Sequence, residues 1–153
     1  MKYAKSAAEY FVRSGKSMKG YILRDLNLAG ADLTGVNLQG ATLINVKLDG
    51  AILDEANLSD ALIYDVSFNL ASMQDACFLR SRIDSVTFDN ADLSRCNFTD
   101  AKISKSSFLT TFLRDTDFIN SYIVGTIWAP ECDSGLFGEG MLFDDLTENA
   151  FMR

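Results

Sequence analysis

Every fifth residue from Leu23 to Trp128 is large and apolar. The column reads Leu23, Leu28, Leu33, Leu38, Leu43, Leu48, Leu53, Leu58, Ile63, Phe68, Met73, Phe78, Ile83, Phe88, Leu93, Phe98, Ile103, Phe108, Leu113, Phe118, Ile123 and Trp128. In a chain that is 48% apolar, an unbroken run of 22 in one phase arises by chance about once in ten million. A helix repeats every 3.6 residues and a strand every 2, so neither accounts for the pattern.

The column two places earlier is small or β-branched: Ala41, Val46, Ala51, Ala56 and Ala61 open a run that continues through Cys96, Ala101, Ser106, Thr111, Thr116 and Ser121. The other three columns are mostly polar, as in Asp32, Thr34 and Gly35 or Asn97, Thr99 and Asp100. Two inward residues in five imply a chain that shows its apolar side briefly and then turns. Each quintet is then one short side and one corner. If four sides close a square, like residues should recur at a spacing of twenty, and they do. Phe68, Phe88, Phe108 and Trp128 form one such series, and Phe78, Phe98 and Phe118 form another. Ile63, Ile83, Ile103 and Ile123 form a third, and Leu33, Leu53, Met73, Leu93 and Leu113 a fourth. The two aromatic series are ten apart, which puts them on opposite walls with their rings meeting on the axis.

The expected fold is therefore all-β: a four-sided β-solenoid of roughly five coils and about 25 Å, given about 4.8 Å between stacked strands. Coil-to-coil pairing satisfies the backbone within the wall. The two open ends remain bare sheet edges and need covering.

Both termini leave the pattern, so the chain divides into 1–20, a repeat region 21–128, and 129–153. In the first, Ser6-Ala7-Ala8-Glu9 fits a capping box, with Tyr3, Ala7, Tyr10 and Phe11 on one helical face and Gly15 as a stop. A short N-terminal capping helix over Leu23 and Leu28 is expected. In the last, "APECDSGLFGEGML" reads as loop. "FDDLTENAFMR" reads as a short C-terminal capping helix with Leu142, Phe143, Leu146 and Ala150 on one side. Opposite charge gathers at the two poles, which differ by Lys2, Lys5, Arg13, Lys16 and Lys19 against Glu131, Asp133, Glu139, Asp144, Asp145 and Glu148.

Composition narrows function. A net charge of -7 argues against direct nucleic-acid binding, which rests on Lys and Arg at phosphates. Three cysteines without a CxxC spacing read as reduced thiols, and with no apolar leader or long apolar run the expected setting is cytoplasmic, with no membrane span. The chain has no His. Cys77, Cys96 and the serines thus lack an imidazole base, and a regular rod offers no cleft. No enzyme activity, metal or cofactor is expected, and the lone Gly138-Glu139-Gly140 is no phosphate loop.

Two walls stand out. One carries Asp32, Asp54, Glu55, Asp75, Asp92 and Asp115 against Arg95 and Arg114. It is the candidate acidic, DNA-mimicking face. The wall through Leu23 and Ile123 carries Arg24, Arg82, Lys102 and Lys105 beside outward Ile22, Ile44, Leu62, Tyr64, Tyr122 and Val124. Apolar side chains flanked by Arg suit a protein interface. Ile44, Leu62, Tyr64, Arg82 and Tyr122 are its candidate contact residues.

The motifs Ala31-Asp32-Leu33, Ala56-Asn57-Leu58, Ala91-Asp92-Leu93 and Cys96-Asn97-Phe98 match A(D/N)LXX. Over about residues 21–128 the chain resembles the pentapeptide-repeat family. The resemblance implies a right-handed quadrilateral β-helix. It also implies two functional possibilities: a duplex-DNA mimic acting on a type II topoisomerase such as DNA gyrase, and a dimer through the C-terminal segment. The expectation is a non-enzymatic scaffold, monomer or dimer, that presents a flat face to another protein; the acidic mimic is the alternative.

Overall fold

Each quintet makes one side and one corner of a square coil. The computed structural model describes residues 2–131, 142–143 and 148–149. In it, every fifth residue from Gly15 to Gly125 has a positive φ, between 48° and 71°. From Gly20 onward these residues lie two places after the large inward one, and they turn the chain at each corner. A backbone bond closes the turn: the Ala31 N–H donates to the Leu28 carbonyl at 3.0 Å, and Ala101 to Phe98 at 2.9 Å. Only three corners per coil close this way. After Leu43, Ile63 and Ile83 no such bond forms among the described residues. The corner residues there, Asn45, Asp65 and Ser85, still have positive φ, and the three residues before each form the strands of the 7-stranded sheet.

The strands are β1 (Ile22–Arg24), β2 (Thr42–Ile44), β3 (Leu62–Tyr64), β4 (Arg82–Asp84), β5 (Lys102–Ser104), β6 (Ser107–Phe112), β7 (Tyr122–Val124), β8 (Ile127–Glu131), β9 (Leu142–Phe143) and β10 (Glu148–Asn149). One 7-stranded sheet runs β1-β2-β3-β4-β5-β7-β9, and a 3-stranded sheet runs β10-β8-β6. All pairs are parallel, and β1 to β5 stack with Ile22 on Thr42, Thr42 on Leu62, Leu62 on Arg82 and Arg82 on Lys102. The remaining walls are joined by single bridges in the same register, such as Asp32 to Ile52 and Asn37 to Asn57. The molecule is thus a four-sided β-solenoid of about 5 turns.

The inward columns make the core. From Leu28 to Trp128 the large residues are essentially inaccessible, and the small column from Ala31 packs between them. Phe68, Phe88 and Phe108 stack at 5.3 and 4.8 Å between centroids, and Phe78, Phe98 and Phe118 at 4.6 and 4.9 Å. The two stacks meet edge-to-face at 6.0 to 6.5 Å, a favoured aromatic geometry. Trp128 ends one stack, 4.9 Å from Phe108. Where the small column is polar, the side chain usually finds the wall: Cys96, Thr111 and Thr116 donate to the carbonyls of Met73, Phe88 and Leu93.

One irregularity has a local cause. The β6–β8 register shifts between Leu109 and Phe112, opposite Pro130, which has no N–H to continue the ladder.

The ends depart from expectation in three ways. Helix α1 (Lys2–Arg13) begins at least four residues before Ser6, so Ser6 is not its cap. Glu9 does not close a capping box; its carboxylate accepts the Asp32 N–H at 3.2 Å, an amide on the exposed edge of the first coil. The face turned to the coil carries buried Ala8 and partly buried Val12, against Leu23 and Leu26, while Ala7 and Tyr10 are exposed. Gly15 ends the helix as expected, with φ +66°. At the other end, the expected C-terminal capping helix is not seen where the chain is described. Leu142–Phe143 and Glu148–Asn149 are strands that extend the two sheets. Their alignment continues the coil rather than starting a helix: Leu142 lies on Tyr122, twenty residues back, which extends the existing ladder. Leu146 and Ala150 lie outside the described residues.

Candidate protein-binding face

The strand-bearing wall presents two outward residues per strand, with the middle residue inward. Stacking in register builds two columns. One reads Ile22, Thr42, Leu62, Arg82, Lys102, Tyr122, Leu142; the other reads Arg24, Ile44, Tyr64, Asp84, Ser104, Val124. Ile44 and Tyr64 are neighbours across β2 and β3, and Leu62 shares β3 with Tyr64. Arg82 lies over Leu62. Four of the five candidate contact residues are therefore brought together. Tyr122 is not: it lies three strands from Leu62, about 14 Å at 4.8 Å per strand. The wall therefore has two apolar ends, Ile22 to Tyr64 and Tyr122 to Leu142, around a polar middle. Ile22, Tyr122 and Leu142 are well exposed, at 70%, 43% and 60%.

Asp84 and Leu142 were not singled out from sequence. The register of twenty already placed Leu142 beyond Tyr122, but the helical reading of its segment hid this. Asp84 accepts from the hydroxyls of Ser104 at 2.7 Å and Ser85 at 2.8 Å, which hold its carboxyl below its ordinary value. It makes no ion pair among the described residues. Arg82 makes none either, although Arg80, Arg95 and Arg114 each reach a carboxylate.

The acidic wall is organised differently. Its carboxylates are mostly engaged by the protein itself. Asp54 accepts from Ser72 Oγ at 2.7 Å and the Gln74 N–H at 2.9 Å. Asp92 accepts from Gln74 Nε2 at 2.8 Å. Asp32 accepts from Thr34, whose hydrogen bonds lower its pKa. Asp75 is clamped by Arg95 at 2.7 and 2.9 Å, and the guanidinium holds its carboxyl below the ordinary value. Asp115 lies 3.7 Å from Arg114, and the Glu55 side chain has no hydrogen-bond partner among the described residues. Asp32 and Asp92 share a column but are separated by Ile52 and Ser72, and Phe112 follows. The six residues lie on one wall without forming a continuous negative ladder.

Other chemistry finds little support. Cys96 is buried, and burial pushes its thiol far up from its ordinary value, so it stays protonated. Cys77 is half-buried. Among the described residues no group of His, Cys, Asp or Glu stands close enough to hold a metal ion. None of the described helices is long and apolar enough to cross a membrane.

The family sequence model described as pentapeptide repeats matches residues 22–60 and 81–118, together half of the chain, in 8 copies. No curated protein matches. Among solved structures, the pentapeptide repeat protein Rfr23 from the cyanobacterium Cyanothece 51142 aligns with a TM-score of 0.59 at 15% identity, covering 94% of this chain and 98% of that one. The pentapeptide repeat protein alr5209 from Nostoc Pcc 7120 aligns at 0.41 and 19% identity, covering 91% and 94%. A trypsin-treated form of QnrB1, a plasmid-mediated fluoroquinolone resistance protein, aligns at 0.31 and 14%, covering 82% and 90%. With its motifs matched over half its length and its coils in register at twenty residues, the chain belongs to the pentapeptide-repeat family.

Proposed function

We propose that this chain is a non-enzymatic binding module that presents its flat strand-bearing wall to another protein. The observation that carries the reading is the apolar cluster of Ile44, Leu62 and Tyr64, with Arg82 at its border, on the wall that carries the 7-stranded sheet. Burying such a cluster supplies the apolar centre of an interface, and Arg and Tyr are among the residues that carry most interface energy. The wall needs no rearrangement to dock, because its backbone bonds are already made between coils.

Protein captured on immobilised chain tests this directly. Tyr64→Asp should abolish capture while leaving the chain folded with a cooperative melt, since Tyr64 is half-buried on the outer side of the wall and not in the core. Capture that survives Tyr64→Asp would clear this wall of the role. The alternative, an acidic mimic acting on a type II topoisomerase, draws on Asp32, Asp54, Glu55, Asp75, Asp92 and Asp115. The engagement of most of those carboxylates by the chain's own donors weighs against it. Inhibition or protection of gyrase in a supercoiling assay, lost in Glu55→Lys, would favour that alternative.

A further inference from the structure

The wall just described has an internal symmetry in its chemistry. Consider a two-fold axis parallel to the rod, passing over the inward column Ile63, Ile83, Ile103. It brings a second copy onto the same wall, coil opposite coil, with each strand reversed. The first outward residue of each strand then faces the second outward residue of the partner strand. Leu62 meets Tyr64, Tyr122 meets Val124, and Arg82 meets Asp84. Every such contact occurs twice, as a two-fold interface requires.

The charges decide between the two ways of laying one copy on the other. With the rods antiparallel, β4 still crosses β4, but Arg82 faces Arg82 and Asp84 faces Asp84. Leu62 then faces Lys102, although Ile44 faces Val124, so the difference lies in the charges. With the rods parallel, the same four charges form two ion pairs, and Leu62 and Tyr122 meet the apolar Tyr64 and Val124, while Ile44 faces Thr42 and Ile22 faces Arg24. Arg82 and Asp84 have no ion-pair partner within the chain among the described residues, unlike Arg80, Arg95 and Arg114; the Asp84 carboxylate accepts only from the neutral hydroxyls of Ser85 and Ser104, so its charge is not neutralised. Like charge at the poles acts against the parallel arrangement, but its reach is about 8 Å at physiological salt.

We infer that the protein partner of this wall is a second copy of the same chain, docked face to face with the rods parallel and Arg82 paired to Asp84 across the two-fold axis. This rests on the proposed use of the wall for protein binding and names its occupant. The wall is narrow, three residues wide along each strand, so the interface falls at the small end of specific contacts, where association is weak and reversible.

Sedimentation velocity of the full chain over about 1 µM to 1 mM, the range where small interfaces dissociate, tests it. The wild-type chain should pass from monomer to dimer with concentration. Arg82→Asp alone and Asp84→Arg alone each place like charges across the axis and should weaken the dimer at least about tenfold. Mixed together, those two variants should associate again, because each supplies the charge that the other lacks. Circular dichroism melts confirm that each variant remains folded, and Arg82→Gln serves as the charge-neutral variant should Asp84→Arg unfold. A chain monomeric throughout the range, or a dimer indifferent to Arg82→Asp and Arg82→Gln, overturns the inference. If the chain is monomeric but capture of another protein still depends on Tyr64, the wall binds a different partner and only the second-copy inference falls.

Discussion

At the scale of single residues, the corner position controls the coil. It must adopt a left-handed backbone, which costs an ordinary L-residue about 1–2 kcal/mol and glycine almost nothing. The chain meets this with Gly30, Gly35, Gly40, Gly50 and Gly125, and with Asn45, Asp60, Asp65, Asp75, Asn90 and Asn120. Leu70 is the poorest fit: its φ is +60° and its side chain is 69% exposed, so no packing offsets the strain. Leu70→Asn should stabilise the fold by about 0.5–1 kcal/mol in a urea melt. The preference was present in the sequence as a column rich in Gly, Asn and Asp, but it is blurred by Arg80, Arg95 and Lys105. The inward columns were legible because burial admits no charged residue, whereas an exposed corner tolerates almost any side chain at modest cost.

At the scale of elements, carboxylates link successive coils. Arg80 reaches back twenty residues to Asp60, and Arg95 to Asp75, and each guanidinium holds its carboxyl below the ordinary value of 3.8. A carboxyl whose pKa is lower folded than unfolded adds stability above its unfolded pKa, and that stability is lost as pH falls through the folded value. The melting temperature should therefore drop below about pH 4, and Arg95→Gln should make that drop shallower in a pH series followed by circular dichroism. Helix α1 acts as a lid on the first coil through Ala8, Val12 and the Glu9 bond to Asp32. Ala8→Glu places a charge at that contact and should cost about 2 kcal/mol, with more light scattering as the bare coil edge self-associates. The helix was legible from its apolar spacing, but its start and its buried face were not. A lone helix has no repeat to fix its phase, and the coil below selects small residues such as Ala8. The C-terminal strands were misread for a related reason: β9 and β10 are 2 residues each, too short for any local period, and only stacking on the coil beneath defines them.

At the scale of the whole molecule, the twenty-residue coil is the unit from which the walls, the aromatic stacks and the candidate face follow. The positions of Ile44, Leu62, Tyr64 and Arg82 were legible because the coil length fixed their wall, and so was the distance of Tyr122 from them once strands were counted. The pairing chemistry of Arg82 with Asp84 was not, since it depends on which carboxylates the chain engages elsewhere. A coil is exchangeable only if residues twenty apart occupy equivalent places, as Leu62 and Arg82 do. In solenoids of this kind each repeat touches only its neighbours, so removing a whole unit leaves the remaining contacts intact. Deleting residues 61–80 removes one full coil and joins Asp60 to Ser81 with every wall in place. Deleting residues 61–75 keeps the quintet phase but moves the Phe78 and Phe88 stacks onto adjacent walls. The most direct test is the thermal melt of these two variants side by side. A higher melting temperature in the first than in the second, whose one junction stacks unlike walls, is the predicted result; equal stability of the two, or loss of folding in the first alone, would contradict the twenty-residue coil.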